Sequence, residues 1–359
     1  MLSDELNIDK ERLKANLEDF FVELYQLYLT AKTSSNNAFE QSYLIADAKV
    51  NLCFANVALK PLITLAIEHL ATNYNLEADL TVFIADSLST NITIPKPNWL
   101  IYHYKTLGDI GGLLSKNIYL NFDLGHNALT LINFEQKQAI YWIESPDRIP
   151  DYELGIPLYW LWHYFFSPRQ TFMLHAGAVG FKDGGVLIIG YGGAGKSNSC
   201  LSCLNSELFY LSDDYCLVKS EPTPMAYSIY ATGKTHAHDL DKLPFLKPIV
   251  SNHENLGKEK AVYFLYKHYK EKIILNFPIK AILIPQVTGL TDTNLEKASA
   301  IEGIKLMVPQ QISRQPSAGR EIFQNLAKIF RQVPCYRLNL GTDRQQIPGK
   351  IINLLKELK

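Results

Sequence analysis

A glycine-rich loop followed by a lysine and a serine is the part of this 359-residue chain whose chemistry is easiest to recognise. Gly190, Gly195, Lys196 and Ser197 meet the pattern G-x-x-x-x-G-K-[ST]. Glycines let such a loop turn tightly and present backbone N–H groups to phosphate oxygens, and the helix that follows adds the positive end of its dipole. The lysine can reach the β and γ phosphates, and the serine hydroxyl can ligate Mg²⁺. The loop therefore predicts a nucleoside triphosphate site.

The neighbouring sequence supports this interpretation. The apolar segment 186–189 precedes the loop and is typical of a strand, and a helix is expected to start at 195–197. The predicted nucleotide contacts are Gly190, Tyr191, Gly192, Gly193, Ala194, Gly195, Lys196, Ser197 and Asn198.

A nucleotide site also needs carboxylates for the metal and, in a kinase, a base for the acceptor hydroxyl. Asp213 and Asp214 stand between the strand-like segments 208–211 and 215–218. Two adjacent aspartates in such a place are unusual, because buried charge is costly without a partner. His175 stands in an apolar segment upstream, where a histidine is either part of the core or functional.

Together these motifs resemble the catalytic domain of the HPr kinase/phosphorylase family and of the wider group of HPr-kinase-related proteins, which includes kinases of lasso-peptide clusters. The likeness rests on Leu174-His-Ala-Gly-Ala-Val179, the loop 190–197 and Leu211-Ser-Asp-Asp214, with similar spacings between them. It covers about residues 172–218, and a weaker likeness runs to the C-terminus.

The resemblance implies a role for each matched residue. Lys196 would bind the β and γ phosphates of ATP, and Ser197 would bind Mg²⁺ with help from Asp213. Asp214 would accept the proton of the acceptor hydroxyl. His175 would lie beside Asp214 and tune its proton affinity.

The sequence also departs from that family. The glutamate-isoleucine-arginine-glycine-like signature that supplies a further Mg²⁺ ligand is missing, which argues against HPr as the substrate and against the reverse phosphorylase activity. The corresponding region contains Lys234, His236 and His238, which are candidates for phosphate or substrate contacts. The two histidines alternate on a predicted strand and would face the same side. Lys258, Lys260, Arg314 and Arg320 are further cations that could close over a triphosphate.

Composition excludes several classes of protein. The formal net charge of -1 does not indicate a nucleic-acid partner, and the most apolar stretch, 156–166, is too short to span a bilayer. The acidic N-terminus is unlike a secretory signal, and the odd set of five cysteines suits reduced thiols. We therefore expect a cytoplasmic protein without a membrane or nucleic-acid partner, in which the pair at 200 and 203 packs in the core.

Two domains are expected. Residues 1–168 predict an α+β domain, with helices at 4–31, 54–74 and 159–166. Its short antiparallel strands are expected at 81–84, 99–102, 128–132 and 138–143. Residues 169–359 predict an α/β domain, and the resemblance implies that it is of the HPr kinase/PEP carboxykinase-like P-loop type. Its strands are expected at 173–181, 185–189 and 334–340, and its helices after 195, at 320–330 and at 348–358, with strands and turns between the loop helix and 320.

Three functions fit these residues. The first is a kinase that uses ATP and Mg²⁺ to phosphorylate a hydroxyl, in particular a serine of a peptide or protein, with residues 1–168 recognising the acceptor or assembling a homo-oligomer. The second is a kinase of a sugar or natural product. The third is a nucleotide-binding regulatory module without catalysis, against which the presence of both His175 and Asp214 argues. The sequence leaves the acceptor, the oligomeric state and the nucleotide base open.

Overall fold

The chain is a mixed α/β protein that divides into two compact units. The computed structural model describes residues 10–73, 77–94, 117–123, 125–314 and 319–358. The first unit consists of the described residues within Met1–Leu65, Ala71–Pro150 and Pro157–Phe165. The second consists of those within Ala66–Leu70, Asp151–Ile156 and Phe166–Lys359. No helix in these described ranges is both long and apolar enough to cross a membrane.

The first unit is built on one sheet, which has seven strands in the described part of the chain. They are β1 (Phe39–Ile45), β2 (Ala48–Phe54), β3 (Ala71–Thr72), β4 (Leu80–Asp86), β5 (Ile118–Asp123), β6 (Ala128–Asn133) and β7 (Gln138–Ile143). Their order is β3-β1-β2-β4-β7-β6-β5. β4 runs parallel to both β2 and β7, so the expectation of purely antiparallel strands is wrong. A crossover rather than a hairpin joins β2 to β4, and crossovers produce parallel pairs.

Helix α1 (Lys10–Ser34) covers one face of this sheet, and α2 (Tyr159–Phe166) also belongs to the N-terminal half of the sequence. Leu17, Phe21, Leu24 and Tyr28 recur at helical spacing and are buried in a core with Trp142 of β7. The helix predicted at 4–31 is confirmed over its described residues, and the aromatic helix at 159–166 is confirmed.

The helix predicted at 54–74 is wrong. Phe54 ends β2, and the only α-helix in the described part of this stretch is Lys60–Thr64, with Pro61 in its first turn. Two short 3₁₀ turns and β3 occupy much of the rest. Most of the apolar residues whose spacing suggested one helix are buried side chains of several short elements and the turns between them instead. The strand predicted at 99–102 lies outside the described residues.

The second unit contains a larger sheet and a separate two-stranded one. Its strands are β8 (Thr171–Leu174), β9 (Gly177–Phe181), β10 (Gly184–Ile188), β11 (Phe209–Ser212), β12 (Cys216–Lys219), β13 (Met225–Tyr227), β14 (Thr232–Thr235), β15 (Ala261–Phe264), β16 (Asn276–Val287), β17 (Asn294–Ala298) and β18 (Cys335–Leu340). The main path of the larger sheet is β11-β9-β10-β16-β13-β12-β8, with β18 pairing β16 and β17 pairing β18. β14 and β15 pair with each other.

The long strand β16 connects the two halves of this sheet. Its first residues pair with β13, and its later residues run parallel to β10 on one side and β18 on the other. The longer helices of the unit are α3 (Lys196–Ser202), α4 (Ala300–Arg314), α5 (Gly319–Gln332) and α6 (Gln346–Glu357). Separate apolar clusters, one containing α3 and α6 and one containing α4 and α5, form the core of the unit.

Most predicted elements of this unit are confirmed, namely the strands near 185–189 and 334–340 and the helices after 195, at 320–330 and at 348–358. The strand predicted at 173–181 is wrong as a single element. β8 ends at Leu174, where it pairs with β12, and β9 begins at Gly177, where it pairs with β10 and β11. Helix α4 was expected as strands and turns, and its interior Pro309 contributes to that error.

Candidate functional site

The glycine-rich loop connects β10 to α3, as the sequence predicts. Gly195 precedes the helix with φ 102°, and a Cβ added there would lie 2.4 Å from Cδ1 of Leu340. Both the left-handed backbone and the close side chain therefore require glycine at this position. Gly193 also has a positive φ, of 81°, and a Cβ there would meet nothing within 4 Å. Tyr191, Gly192 and Gly193 form the exposed tip of the loop.

Lys196 is buried beneath this loop. Its Nζ donates to the carbonyl oxygen of Gly190 at 2.7 Å and to that of Tyr191 at 3.2 Å. A buried ammonium needs such partners, because desolvation of a charge is costly. The loop thus holds its own lysine on the inside, where a phosphate group could exchange with the carbonyl oxygens.

Asp213 lies at the end of β11 and is almost fully buried. Its Oδ2 accepts a hydrogen bond from the backbone N–H of Lys234 at 2.9 Å, and the nearby hydroxyl of Ser197 opposes the rise in its pKa. Burial raises the pKa of Asp213 to about 6, and the charge of Asp214 adds to this effect. The buried carboxyl group therefore lies close to the serine of the glycine-rich loop.

Asp214 points into the adjoining cleft and has two partners. Its Oδ1 lies 3.0 Å from Nε2 of His175, and its Oδ2 lies 2.9 Å from Nζ of Lys234. Burial opposes ionisation, but the charge of Lys234 and the hydrogen bond from His175 outweigh it, so the pKa of Asp214 lies well below its ordinary value. Asp214 is therefore a carboxylate near neutral pH.

His175 lies in the break between β8 and β9 rather than on a strand. At this break the backbone of His175 is not paired with a neighbouring strand, and the side-chain amide of Gln311 forms hydrogen bonds with the backbone there. The Gln311 oxygen accepts from the N–H of His175 at 3.2 Å, and its nitrogen donates to the carbonyl oxygen of Met173 at 2.9 Å. Gln311 is 1% exposed, so the bridge is fully enclosed. Sequence reasoning missed this residue, because α4 was not predicted and no local pattern connects it to His175.

The three candidates after the aspartates have different environments. Lys234 is buried on β14 in its ion pair with Asp214. His236 and His238 follow the strand, one before and one within the 3₁₀ turn Ala237–Lys242, so their prediction as a strand pair is wrong. Their exposed rings nevertheless stack with centroids 5.2 Å apart. Burial and the charge of Lys260 lower the pKa of His236.

Most of the predicted site residues line one cleft of about 560 Å³ within the second unit, but Gly190, Ala194, Asp213 and His238 are not among its lining residues. Its lining includes His175, Tyr191, Gly192, Gly193, Gly195, Lys196, Ser197, Asn198, Asp214, Lys234 and His236. Lys258 and Lys260 reach its edge, whereas Arg320 is exposed on α5 and is not part of the lining. The side chain of Arg314 lies outside the described residues.

Asp239 of the cleft wall and Gly155 near it were not singled out from the sequence. Asp239 is buried, and its Oδ1 accepts a hydrogen bond from Nζ of Lys242 at 2.6 Å. This bond and the nearby side-chain amide of Asn198 outweigh burial and lower the pKa of Asp239. Gly155, in the short segment 151–156, lies against the side chain of Lys234. Asp239 stands beside the predicted His238, but nothing in the sequence around Gly155 points to the cleft.

The comparisons with known proteins add little to this geometry. No protein-family model matches the chain, and no curated protein matches it. Among solved structures the chain is similar to the Hpr(Ser) kinase/phosphatase from Coxiella burnetii, with a TM-score of 0.29 and 10% sequence identity. That likeness covers 52% of this chain and 94% of the other. We draw no conclusion about function from a TM-score this low.

Proposed function

We propose that this chain is an ATP-dependent kinase with an HPr-kinase-like P-loop domain, which transfers the γ-phosphate to a hydroxyl group. The supporting observation is that one cleft is lined by the glycine-rich loop with Lys196 and Ser197 and also by Asp214, which is paired with His175. Phosphoryl transfer needs this combination, because it depends on neutralising phosphate charge and on positioning an acceptor beside a base.

The loop fits a triphosphate. Its tip is exposed, its turns require glycine at Gly195, and Lys196 lies directly beneath it. When ATP binds, Lys196 would exchange the carbonyl oxygens of Gly190 and Tyr191 for phosphate oxygens. The backbone N–H groups of residues 190–197 would provide the remaining phosphate contacts.

Ser197 and Asp213 fit Mg²⁺. A hydroxyl and a carboxylate are oxygen ligands of the kind this ion prefers, and these two lie near each other. Burial raises the pKa of Asp213, but a divalent cation bound beside it would lower that pKa and favour the ionised form. The ion would neutralise phosphate charge, and the protein would hold its ligands in place.

Asp214 is the proposed base. An alcohol is a poor nucleophile near neutral pH, and a carboxylate that accepts its proton lowers the barrier. His175 fixes one oxygen of this carboxylate, and Lys234 holds it ionised until substrate arrives. A phosphate group in the cleft would share the charge of Lys234, which raises the proton affinity of Asp214 when it is needed.

For the acceptor we propose a serine of a peptide or protein other than HPr. A small-molecule hydroxyl is the other acceptor that the same chemistry serves. Lys258, Lys260 and His236 stand at the edge of the cleft, where they can contact an acceptor or the triphosphate. Recognition of the acceptor, or assembly of a homo-oligomer, is assigned in this proposal to residues 1–168.

The test is transfer of label from γ-labelled ATP with Mg²⁺ to a screen of serine peptides, proteins and small alcohols. The wild type should label at least one acceptor, and both Lys196→Ala and Asp214→Asn should abolish labelling. Lys328→Ala is the matched control, since Lys328 forms a surface ion pair with Glu221. Full transfer by either site variant would refute the mechanism, and ATP binding without any transfer would favour a regulatory module.

A further inference from the structure

The short segment 151–156 forms part of the cleft wall next to Lys234. Its residues Tyr152 and Ile156 line the cleft, and the segment is flanked in sequence on both sides by residues of the first unit. Gly155 in this segment lies so close to Lys234 that an added Cβ would be 2.6 Å from Cε and 3.5 Å from Nζ. No side chain larger than hydrogen fits there while Lys234 keeps its place.

The segment is held in position by hydrogen bonds at Asp151, Tyr152 and Gly155. The hydroxyl of Thr232 donates to the carbonyl oxygen of Gly155 at 2.8 Å, and the backbone N–H of Tyr152 donates to Oε2 of Glu259 at 3.1 Å. The carboxylate of Asp151 accepts from the side-chain amides of Asn252 and Asn255, at 3.2 and 2.6 Å. The backbone of Gly155 is thus a fixed surface.

Strand β14, which is bonded to Gly155 through Thr232, places the side chain of Lys234 against the backbone of Gly155. Thr232 and Lys234 are two residues apart on β14, so their side chains point to the same face of the strand. Thr232 is fixed in turn, because its carbonyl oxygen accepts from the hydroxyl of the buried Tyr210 at 2.6 Å. The backbone of Gly155 and the carboxylate of Asp214 therefore confine the end of Lys234 from two sides.

We infer that Gly155 is a positioning residue: its missing side chain allows Lys234 to lie along segment 151–156 with its ammonium on Asp214. Gly155 touches neither the phosphate loop nor His175 among the contacts described, and it acts through Lys234. The inference deepens the proposed function, on which its kinetic consequence rests, but the contact itself can be tested without any activity.

The test is a double-mutant cycle with Gly155→Ala, Lys234→Ala and both together. The backbone of Gly155 lies outside the left-handed region, and the atoms that a Cβ would displace are the end of a flexible side chain, so Gly155→Ala should fold. It should lower the melting temperature in the wild type but hardly at all with Lys234→Ala, because Oγ1 of Thr232, at an ordinary contact distance of 3.6 Å, is then the next atom that the methyl group meets. Gly349→Ala is the control and should not lower the melting temperature, since a Cβ there meets nothing within 4 Å and alanine favours the helix that contains it.

Two further readouts separate positioning from a general loss of stability. The ammonium signal of Lys234 in ¹H–¹⁵N spectra, assigned by its loss in Lys234→Ala, should shift or broaden in Gly155→Ala. In the transfer assay Gly155→Ala should lower kcat by on the order of ten- to a hundredfold with an unchanged KM for ATP, and it should have no further effect with Lys234→Ala.

The possible failures are distinguishable. Additive effects of the two substitutions on the melting temperature, with an unmoved Lys234 signal, would overturn the positioning role whatever the chain catalyses. A coupled cycle in a protein that labels no acceptor would leave the positioning role standing and remove the kinase proposal.

Discussion

Oδ1 of Asp214 lies 3.0 Å from Nε2 of His175, although the two residues belong to different strand connections. The sheet creates this pair: β8 ends immediately before His175, and β12 begins two residues after Asp214 and pairs with β8. Leu174 is the register partner of Cys216, so the two connections lie at the same end of adjacent strands.

Replacing His175 should affect the chemical step rather than nucleotide binding. His175→Ala removes the hydrogen bond that orients Asp214, and we expect kcat to fall about ten- to a hundredfold. The affinity for ATP, measured by calorimetry, should change little, because the partner of His175 is Asp214, which lies outside the loop. His175→Gln, which can still donate a hydrogen bond, should recover part of the rate. A loss of ATP affinity equal to the loss of rate would contradict this role.

Gln311 should be required for the same step, because its amide supports the backbone at His175. Gln311→Met keeps the size of the side chain but leaves a buried N–H and a buried carbonyl group without this partner, at a cost of about 1–3 kcal/mol each in the free energy of unfolding. We expect denaturant unfolding to report that loss and kcat to fall with it. Gln310→Met is the control, since Gln310 donates to Leu306 within its own helix. Equal effects of the two variants would exclude a specific role for Gln311.

The pH dependence of stability should carry the signature of Asp213. Its pKa rises from 3.8 in the unfolded chain to about 6 in the folded protein, so between these values the folded state binds more protons. Stability should therefore fall as pH rises through this window, by no more than about 3 kcal/mol. Asp214 has the opposite sign: its contribution is complete above its unfolded pKa and is lost as pH falls further.

Urea unfolding of the wild type and of Asp213→Asn between about pH 4 and pH 7 measures this difference. The stability of the variant relative to the wild type should increase across the window. Saturating Mg²⁺ and nucleotide should make the stability difference between the variant and the wild type less dependent on pH, because a bound cation favours the ionised form of Asp213. A difference that does not depend on pH would show that Asp213 ionises normally.

Gly195 should tolerate no side chain. Gly195→Ala combines a φ of 102° with a methyl group directed at Leu340, and each effect is destabilising. We expect a loss of about 1–3 kcal/mol in the free energy of unfolding, with weakened ATP binding. Gly192→Ala in the same loop meets nothing within 4 Å and should fold as the wild type does. Similar unfolding curves for both variants would contradict this account.

The sequence by itself determined the features that depend on neighbouring residues. The order of apolar segment, glycine loop, lysine and serine predicts a strand, a phosphate loop and a helix, because glycine conformations and helix starts are set locally. Asp213 and Asp214 could be found for a similar reason, since charge between two apolar segments is conspicuous. Their roles in catalysis remain predictions.

The tertiary structure decided which distant groups meet. The break at His175 depends on β8 and β9 finding different partner strands, and the apolar run from 173 to 181 contains no sign of it. The ion pair of Lys234 with Asp214, the bridge from Gln311 and the fit of Gly155 against Lys234 join segments far apart in the chain. Such contacts are set by sheet order and by packing at close range, and hydrophobic periodicity carries no information about either.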